Sequence, residues 1–138
     1  MAKDIEFDIS EVMNNFKDID KKFTANDYSA ITMLLETAAK KMESWAKMNR
    51  PWKDKTNRAR LGLTGYAYWE SKKVVAAVIA HTVDYGVYLE LAHQRKYAIL
   101  EQAIEEHKDE IEDAVKEVLK GIMKWVISTG TENQYLIW

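Results

Sequence analysis

The stretch GYAYWESKKVVAAVIAHTVDYG, residues 65–86, lies between two long helical patterns and decides the fold class. Its second half is rich in valine and isoleucine, whose branched side chains fit a pleated surface. We predict two strands, about Gly65–Trp69 and Lys73–Val83, joined by a turn around Ser71. The chain is therefore expected to be a single α+β domain, in which a small antiparallel hairpin packs against a long N-terminal and a long C-terminal helix.

The C-terminal pattern, from about Tyr97 to Val126, is the most regular in the chain. Its apolar residues recur at helical spacing, as in Leu100, Ala103, Ile104, Ile111, Val115 and Leu119. His107 lies on this stripe, and we expect a hydrogen-bonded core or boundary histidine there rather than a ligand or base. A polar segment follows, and the chain ends with Tyr135, Leu136, Ile137 and Trp138. Four such residues are costly to leave in water, so we expect them to dock on this domain or on a neighbour.

The N-terminal helix has a clear beginning and a clear end. Thr24 followed by Asp27 is typical of a helix start, since a hydroxyl and an acid can accept from unpaired backbone N–H groups. Apolar residues such as Ile31 and Met42 then share one face. Pro51, the only proline in the chain, predicts that the helix ends before it.

The first 23 residues form an acidic start. Residues 1–20 contain six acids and two lysines, and IEFDIS alternates in a way that suits a short strand or an extended arm. Ser10 is expected to cap a short helix. We divide the chain into this acidic arm or short helix (1–23), an α+β domain (24–127) and a tail with an apolar end (128–138).

Composition excludes several classes of function. The net charge of −2 over 138 residues predicts no general attraction to nucleic acid or membranes. The absence of cysteine excludes disulfides and thiolate metal sites. We expect no membrane span and no signal peptide in MAKDIEFDIS. The five glycines are scattered singly, so neither a Walker loop nor a dinucleotide fingerprint is present.

Two further patterns could carry chemistry. Glu90 and His93 have the spacing of a helical metal-ligand pair, but a carboxylate-bridged site needs a second such pair and the sequence has none. No serine lies in a glycine-flanked turn after a strand, as a nucleophile would require. We therefore expect no catalytic residue, no metal and no cofactor, and we do not expect an enzyme.

The segment RPWKDKTNRARLGLTG carries the one concentrated positive patch. Lys53, Lys55, Arg58 and Arg60 surround a single acid, and Trp52 precedes them. Such a patch could contact phosphates while the tryptophan stacks on a base, which would suit a small nucleic-acid-binding regulatory module. A solvated loop, or one that pairs with the acids of a neighbouring subunit, is the alternative.

The order of these features resembles the small siphophage tail-completion, or head-to-tail joining, proteins of the lambdoid tail-component family. The resemblance covers roughly residues 25–125. It rests on the proline turn, on a Thr-Asn-x-Arg element and on a Tyr-Gly-x-Tyr-Leu-Glu block between the hairpin and the last helix. The matching residues are Pro51; Thr56, Asn57, Arg58 and Arg60; Gly62 and Leu63; and Tyr85, Gly86, Tyr88, Leu89 and Glu90.

The resemblance implies a non-enzymatic virion protein. Its members form a ring, here expected to be a hexamer, between the connector and the tail tube, and the genome passes through the lumen without specific binding. The implied partners are other copies of the chain, connector or adaptor proteins, and tail-terminator or tail-tube proteins. The implied location is the head–tail interface of the virion, with assembly in the host cytoplasm. A head-closure stopper and a tail terminator remain alternatives within the same structure.

The resemblance and the residue types together predict which side chains face inward. We expect Tyr85, Tyr88 and Leu89 to pack the hairpin against the long helices, with Gly86 giving the backbone freedom and Trp52 belonging to the same core motif. The surface that meets a neighbour is expected to include Glu90, His93, Arg95 and Lys96, together with the basic patch and the four C-terminal residues.

Overall fold

The structure is a computed structural model that describes residues 1–18 and 23–128. Within these ranges the chain forms, in order, β1 (Ala2–Asp8), α1 (Ser10–Asp18), α2 (Ala25–Asn49), α3 (Arg58–Leu61), β2 (Leu63–Trp69), β3 (Val74–His81), α4 (Tyr85–Leu91), a short 3-10 turn (His93–Arg95) and α5 (Leu100–Ser128). The α+β class is confirmed, with a small antiparallel sheet and two long helices. None of the described helices is long and apolar enough to cross a bilayer.

The sheet has three antiparallel strands in the order β1-β3-β2. The predicted hairpin is confirmed as β2 and β3, with Leu63 opposite His81 and Trp69 opposite Val75. On the other side of β3, β1 runs from Ala2, opposite Ala80, to Asp8, opposite Val74. The acidic start is therefore not an arm outside the domain, and the expected boundary at residue 24 is corrected, because β1 completes the sheet.

The two faces of the sheet have different surroundings. One face presents Val75, Ala77 and Ile79 to the helices, and the main core forms there. The opposite face carries a separate buried cluster of Ala76, Val78 and Ala80, to which no described helix contributes a residue. We call this opposite side the open face.

Helix α2 begins and ends where the sequence predicts. Thr24 and Asp27 form a reciprocal capping box, and Asn49 is the last helical residue before the proline turn. The helix buries a stripe consisting of Ile31, Leu35, Ala39, Met42 and Ala46. It packs against α5, whose buried positions include Ile111, Val115 and Leu119.

Three local predictions were wrong. Ser10 does not cap α1 but is its first residue, and the Asp8 carboxylate accepts a hydrogen bond from the Ser10 backbone N–H at 2.9 Å. The segment after His81 does not continue as a strand to Val83. It turns into the short helix α4, and α5 begins at Leu100 rather than Tyr97.

Candidate assembly surfaces

Glu90 is buried at the junction of β3, α4 and α5. Its Oε1 lies 2.9 Å from Nε2 of His81 and accepts hydrogen bonds from the backbone N–H groups of Ile99 (3.0 Å) and Leu100 (3.1 Å). Burial opposes ionisation of this carboxyl, but these hydrogen bonds and the His81 ring outweigh it and hold the Glu90 pKa below its ordinary value. Because only 3% of the residue is exposed, the expectation that Glu90 faces a neighbour is wrong.

The Tyr-Gly-x-Tyr-Leu-Glu block, residues 85–90, is called the motif block below. Its buried side fixes α4 in place. Leu89 is buried, as predicted. Gly86 lies so close to β3 that an added Cβ would come within 2.2 Å of the His81 Cβ, so only glycine fits there. Trp52 packs against the core, as expected, with its ring 6.0 Å from that of His81. Sequence reasoning did not identify His81, although its place at the end of the strand next to the motif block was a signal.

The outward side of α4 carries a row of aromatic rings. Tyr85 and Tyr88 stack at 4.7 Å, the Tyr88 hydroxyl lies 2.7 Å from Nε2 of His93, and the His93 ring meets Tyr97 edge to face. Tyr85 is 56% and Tyr88 42% exposed. The prediction that both tyrosines pack the hairpin against the helices is therefore wrong, because the other side of this short helix fills that space. We call Tyr85, Tyr88, His93 and Tyr97 the aromatic row.

His93 lies in an unusual turn that connects α4 to the end of this row. His93, Gln94 and Arg95 have φ values of 51°, 57° and 65°, in the left-handed region that non-glycine residues rarely adopt. Each such residue costs about 1–2 kcal/mol. The turn leaves His93, Arg95 and Lys96 exposed, as predicted. Arg95 then forms an ion pair with Glu101 at 2.9 Å, and the Lys96 ammonium lies over the Tyr97 ring.

The basic patch divides into paired and unpaired residues. Asp54 forms a bidentate contact with Arg50 and lies 3.5 Å from Nε of Arg60. Lys53, Lys55 and Arg58 are exposed and form no ion pair with any described residue. We call these three residues the basic loop. Arg60 belongs instead to the local structure around Asp54.

The outer edge of β2 is closed by two glutamates of α2. Glu43 accepts a hydrogen bond from the Gly65 N–H and Glu36 from the Ala67 N–H, both at 2.9 Å. These N–H groups would otherwise be free to pair with another strand. Burial disfavours the charged form of Glu43, but the bonds from Gly65, Lys40 and Lys47 prevail and lower its pKa to about 2.

The remaining predicted site residues add no further candidate surface within the described ranges. His107 is half-buried and its Nδ1 lies 2.8 Å from the Ala103 carbonyl oxygen, which confirms a boundary histidine. No group of three His, Cys, Asp or Glu residues within the described ranges could hold a metal ion. Tyr135, Leu136, Ile137 and Trp138 lie outside the described residues.

Comparisons of the chain with protein-family models, with curated proteins and with solved structures found no match. We therefore infer the function from these surfaces and from the resemblance noted in the sequence.

Proposed function

We propose that this protein is a structural subunit of a tailed-phage virion, which forms a ring at the head–tail joint and performs no catalysis. The observation that carries the proposal is the aromatic row on the outer side of α4. Tyr85 and Tyr88 belong to the block by which the sequence resembles head-to-tail joining proteins. In this fold they are exposed rather than used for the core.

The motif block thus has two roles on two sides of one short helix. Gly86, Leu89 and Glu90 hold α4 against β3 and α5. Exposed tyrosines on a helix held in this way form a rigid apolar surface with polar tips, and aromatic residues are enriched at the centres of protein interfaces. This division of roles is what a subunit needs when it must fold first and assemble afterwards.

A ring also needs two different surfaces that meet head to tail. The aromatic row and the basic loop lie on different segments of the chain and are both exposed, so each is available to one of these surfaces. The net charge of −2 is compatible with a conduit, because a strongly basic lumen would retain DNA through many phosphate contacts. The proposed partners are other copies of this chain, a connector or adaptor and a tail-terminator or tail-tube protein, with the genome passing through.

The direct test is electron microscopy of phage particles assembled without this protein. Full heads and normal tails that remain unjoined would support the proposal, and unaffected joining would refute it. Tails of irregular length would place the protein at the tail terminus instead, and emptied heads would place it at head closure. Tight DNA binding by the purified protein that weakens steeply with salt would favour the nucleic-acid-binding alternative.

A further inference from the structure

The open face of the sheet forms a shallow groove with two chemically different walls. Across the central strand, Asp4 lies in register with Val78 and Tyr66, and Glu6 lies in register with Ala76 and Tyr68. Carboxylates therefore line one side, tyrosine rings line the other, and small apolar residues form the floor. The groove has a volume of about 370 Å³, lined by Ala2, Lys3, Asp4, Tyr66, Tyr68 and Val78.

The acids of this face lack cationic partners. Asp4, Glu6 and Glu70 form no ion pair with any described residue, Lys3 included. A hydrogen bond to Glu70 and the negative charges of Glu70 and Asp4 raise the pKa of Glu6, which indicates crowded like charges. Asp8, by contrast, is engaged by Ser10 and lies near Lys73. A cation placed in the groove would relieve the crowding around Glu6.

The outer edge of β1, next to this face, carries backbone N–H and C=O groups that pair with no described strand. His81 N–H donates to Met1 O, and Ile9 N–H donates to Lys73 O, so the odd-numbered residues of β1 exchange hydrogen bonds with β3. Asp4 and Glu6 therefore direct their backbone N–H and C=O groups away from the sheet. No described strand pairs with that edge.

The same chain carries a surface of complementary chemistry, the basic loop. This loop leads through Gly62, whose carbonyl accepts from Thr82 N–H at 2.8 Å, into the beginning of β2. Glu6 and Glu70 lie toward the opposite end of the sheet, where β2 turns into β3. A seven-residue strand spans roughly 20 Å, so Glu6 and Glu70 lie far from the end at which the basic loop joins β2, whereas Asp4 lies nearer the middle of the sheet.

We infer that the open face of the sheet binds the basic loop of a second copy of this chain, whose lysine and arginine side chains enter the groove between the carboxylates of β1 and the tyrosine rings of β2. The inference rests on the proposed ring and specifies one of its interfaces. Carboxylates would pair with the cationic heads, and the tyrosine rings would add cation–π contacts. Two open faces cannot pair with each other in this way, because their acids would repel. The contact joins two different surfaces, as the head-to-tail interface of a ring requires.

Disulfide trapping tests the contact directly, because the chain has no cysteine of its own. One population carries Ala2→Cys at the groove and the other carries Lys55→Cys in the basic loop. The matched control replaces Lys55→Cys with Lys116→Cys, another exposed lysine, on α5. We expect the groove–loop disulfide to form on the order of ten-fold faster than the control disulfide at low salt, with the advantage lost at high salt. Equal rates would overturn the inference.

Charge neutralisation adds a directional test. Asp4→Asn with Glu6→Gln neutralises the groove but leaves the loop, and Lys53→Gln with Arg58→Gln does the opposite. We expect rapid trapping when Lys55→Cys is in the groove-neutralised chain and Ala2→Cys is in the loop-neutralised chain, and slow trapping in the reverse arrangement, where neither surface keeps its charge. Equal trapping in both arrangements would contradict a groove–loop contact. A groove that binds a lysine-rich peptide but not the basic loop would assign the face to another partner and also overturn the inference.

The outcome is separable from that of the proposed function. Failure to trap, together with unjoined heads and tails in particles lacking the protein, would remove this interface and leave the joining role. Rapid trapping, together with normal joining in such particles, would establish the self-contact and refute the head–tail assignment.

Discussion

A single oxygen of Glu90 lies 2.9 Å from the His81 ring and also accepts the backbone N–H groups of Ile99 and Leu100. This carboxylate thus connects the last residue of β3 to the start of α5, where a negative charge also complements the helix dipole. It sits in the block by which the sequence resembles joining proteins, yet its role in this fold is to hold the subunit together.

Replacement of Glu90 should therefore damage folding. Glu90→Ala leaves a buried imidazole and two N–H groups without their acceptor, and we expect a loss of about 3–5 kcal/mol in the free energy of unfolding. Glu90→Gln keeps one acceptor and should lose about 1–3 kcal/mol. Urea denaturation measures both. The control Glu101→Ala removes only the exposed ion pair to Arg95 and should change stability by less than about 1 kcal/mol. Similar losses for both alanine variants would contradict the connecting role of Glu90.

Glu43 should contribute a pH-dependent part of the stability. Its pKa falls from 4.5 to about 2 in the folded protein, and its side chain is only 18% exposed. A lowered folded-state pKa stabilises the fold above the unfolded value, and the contribution disappears as the pH falls from about 4.5 toward 2. The shift corresponds to on the order of 3 kcal/mol.

Glu43→Gln should therefore lower stability at neutral pH and flatten the stability profile between pH 2 and 4.5. Denaturant titrations at a series of pH values measure this slope. Glu105→Gln, at an exposed position on α5, serves as the control and should leave the profile unchanged. An unaltered slope in Glu43→Gln would show that the carboxylate does not protect the β2 edge in the way described.

Gly65 marks the closest approach of α2 to the sheet. A Cβ at this position would lie 2.0 Å from the Ala39 carbonyl oxygen and 2.5 Å from its carbon, and backbone atoms cannot rotate away. We expect Gly65→Ala to cost about 3 kcal/mol or more. Gly121→Ala is the matched control, because an added Cβ meets nothing within 4 Å in helix α5. That change should stabilise the protein by about 0.5–1 kcal/mol. A mild effect at Gly65 would mean that α2 packs farther from β2.

The long elements could be predicted because their signals are local. The capping box of Thr24 and Asp27, the apolar stripe and Pro51 define α2 within one continuous segment. The stripe of α5 is equally regular, and the branched residues of β3 indicate a strand. The helix α4 was missed because seven residues give too few turns for a period to emerge, and its valine, tyrosines and leucines also suit a strand.

The surfaces could not be predicted because they depend on non-local contacts. Nothing local makes Glu90 a buried residue, since its acceptor oxygens are satisfied by His81 and by the start of another helix. The aromatic character of Tyr85 and Tyr88 suggested a core position, and only the placement of Gly86 against β3 shows which side of α4 faces inward. The groove requires the register of three strands, because it places Asp4 across the central strand from Tyr66, which comes from a distant part of the chain.

Substitutions in the aromatic row most clearly separate an effect on assembly from an effect on folding. Tyr88 is 42% exposed, so Tyr88→Ser should cost the isolated subunit about 1 kcal/mol or less, mainly through the lost contacts with Tyr85 and His93. If the row anchors an interface, the same change should strongly reduce the fraction of joined particles when the variant is supplied to particles lacking the protein. Electron microscopy counts the joined particles, and urea denaturation measures the stability.

Two controls distinguish the causes of such a defect. Met48→Ser removes an exposed apolar side chain on α2, far along the chain from the row, and should leave joining unchanged. Tyr88→Phe keeps the ring area and loses only the hydrogen bond to His93, so it should retain most of the joining activity. Equal losses of stability and of joining would show that Tyr88 acts in folding rather than at an interface. An equal defect in Met48→Ser would show that joining responds to exposed apolar area in general rather than to this row.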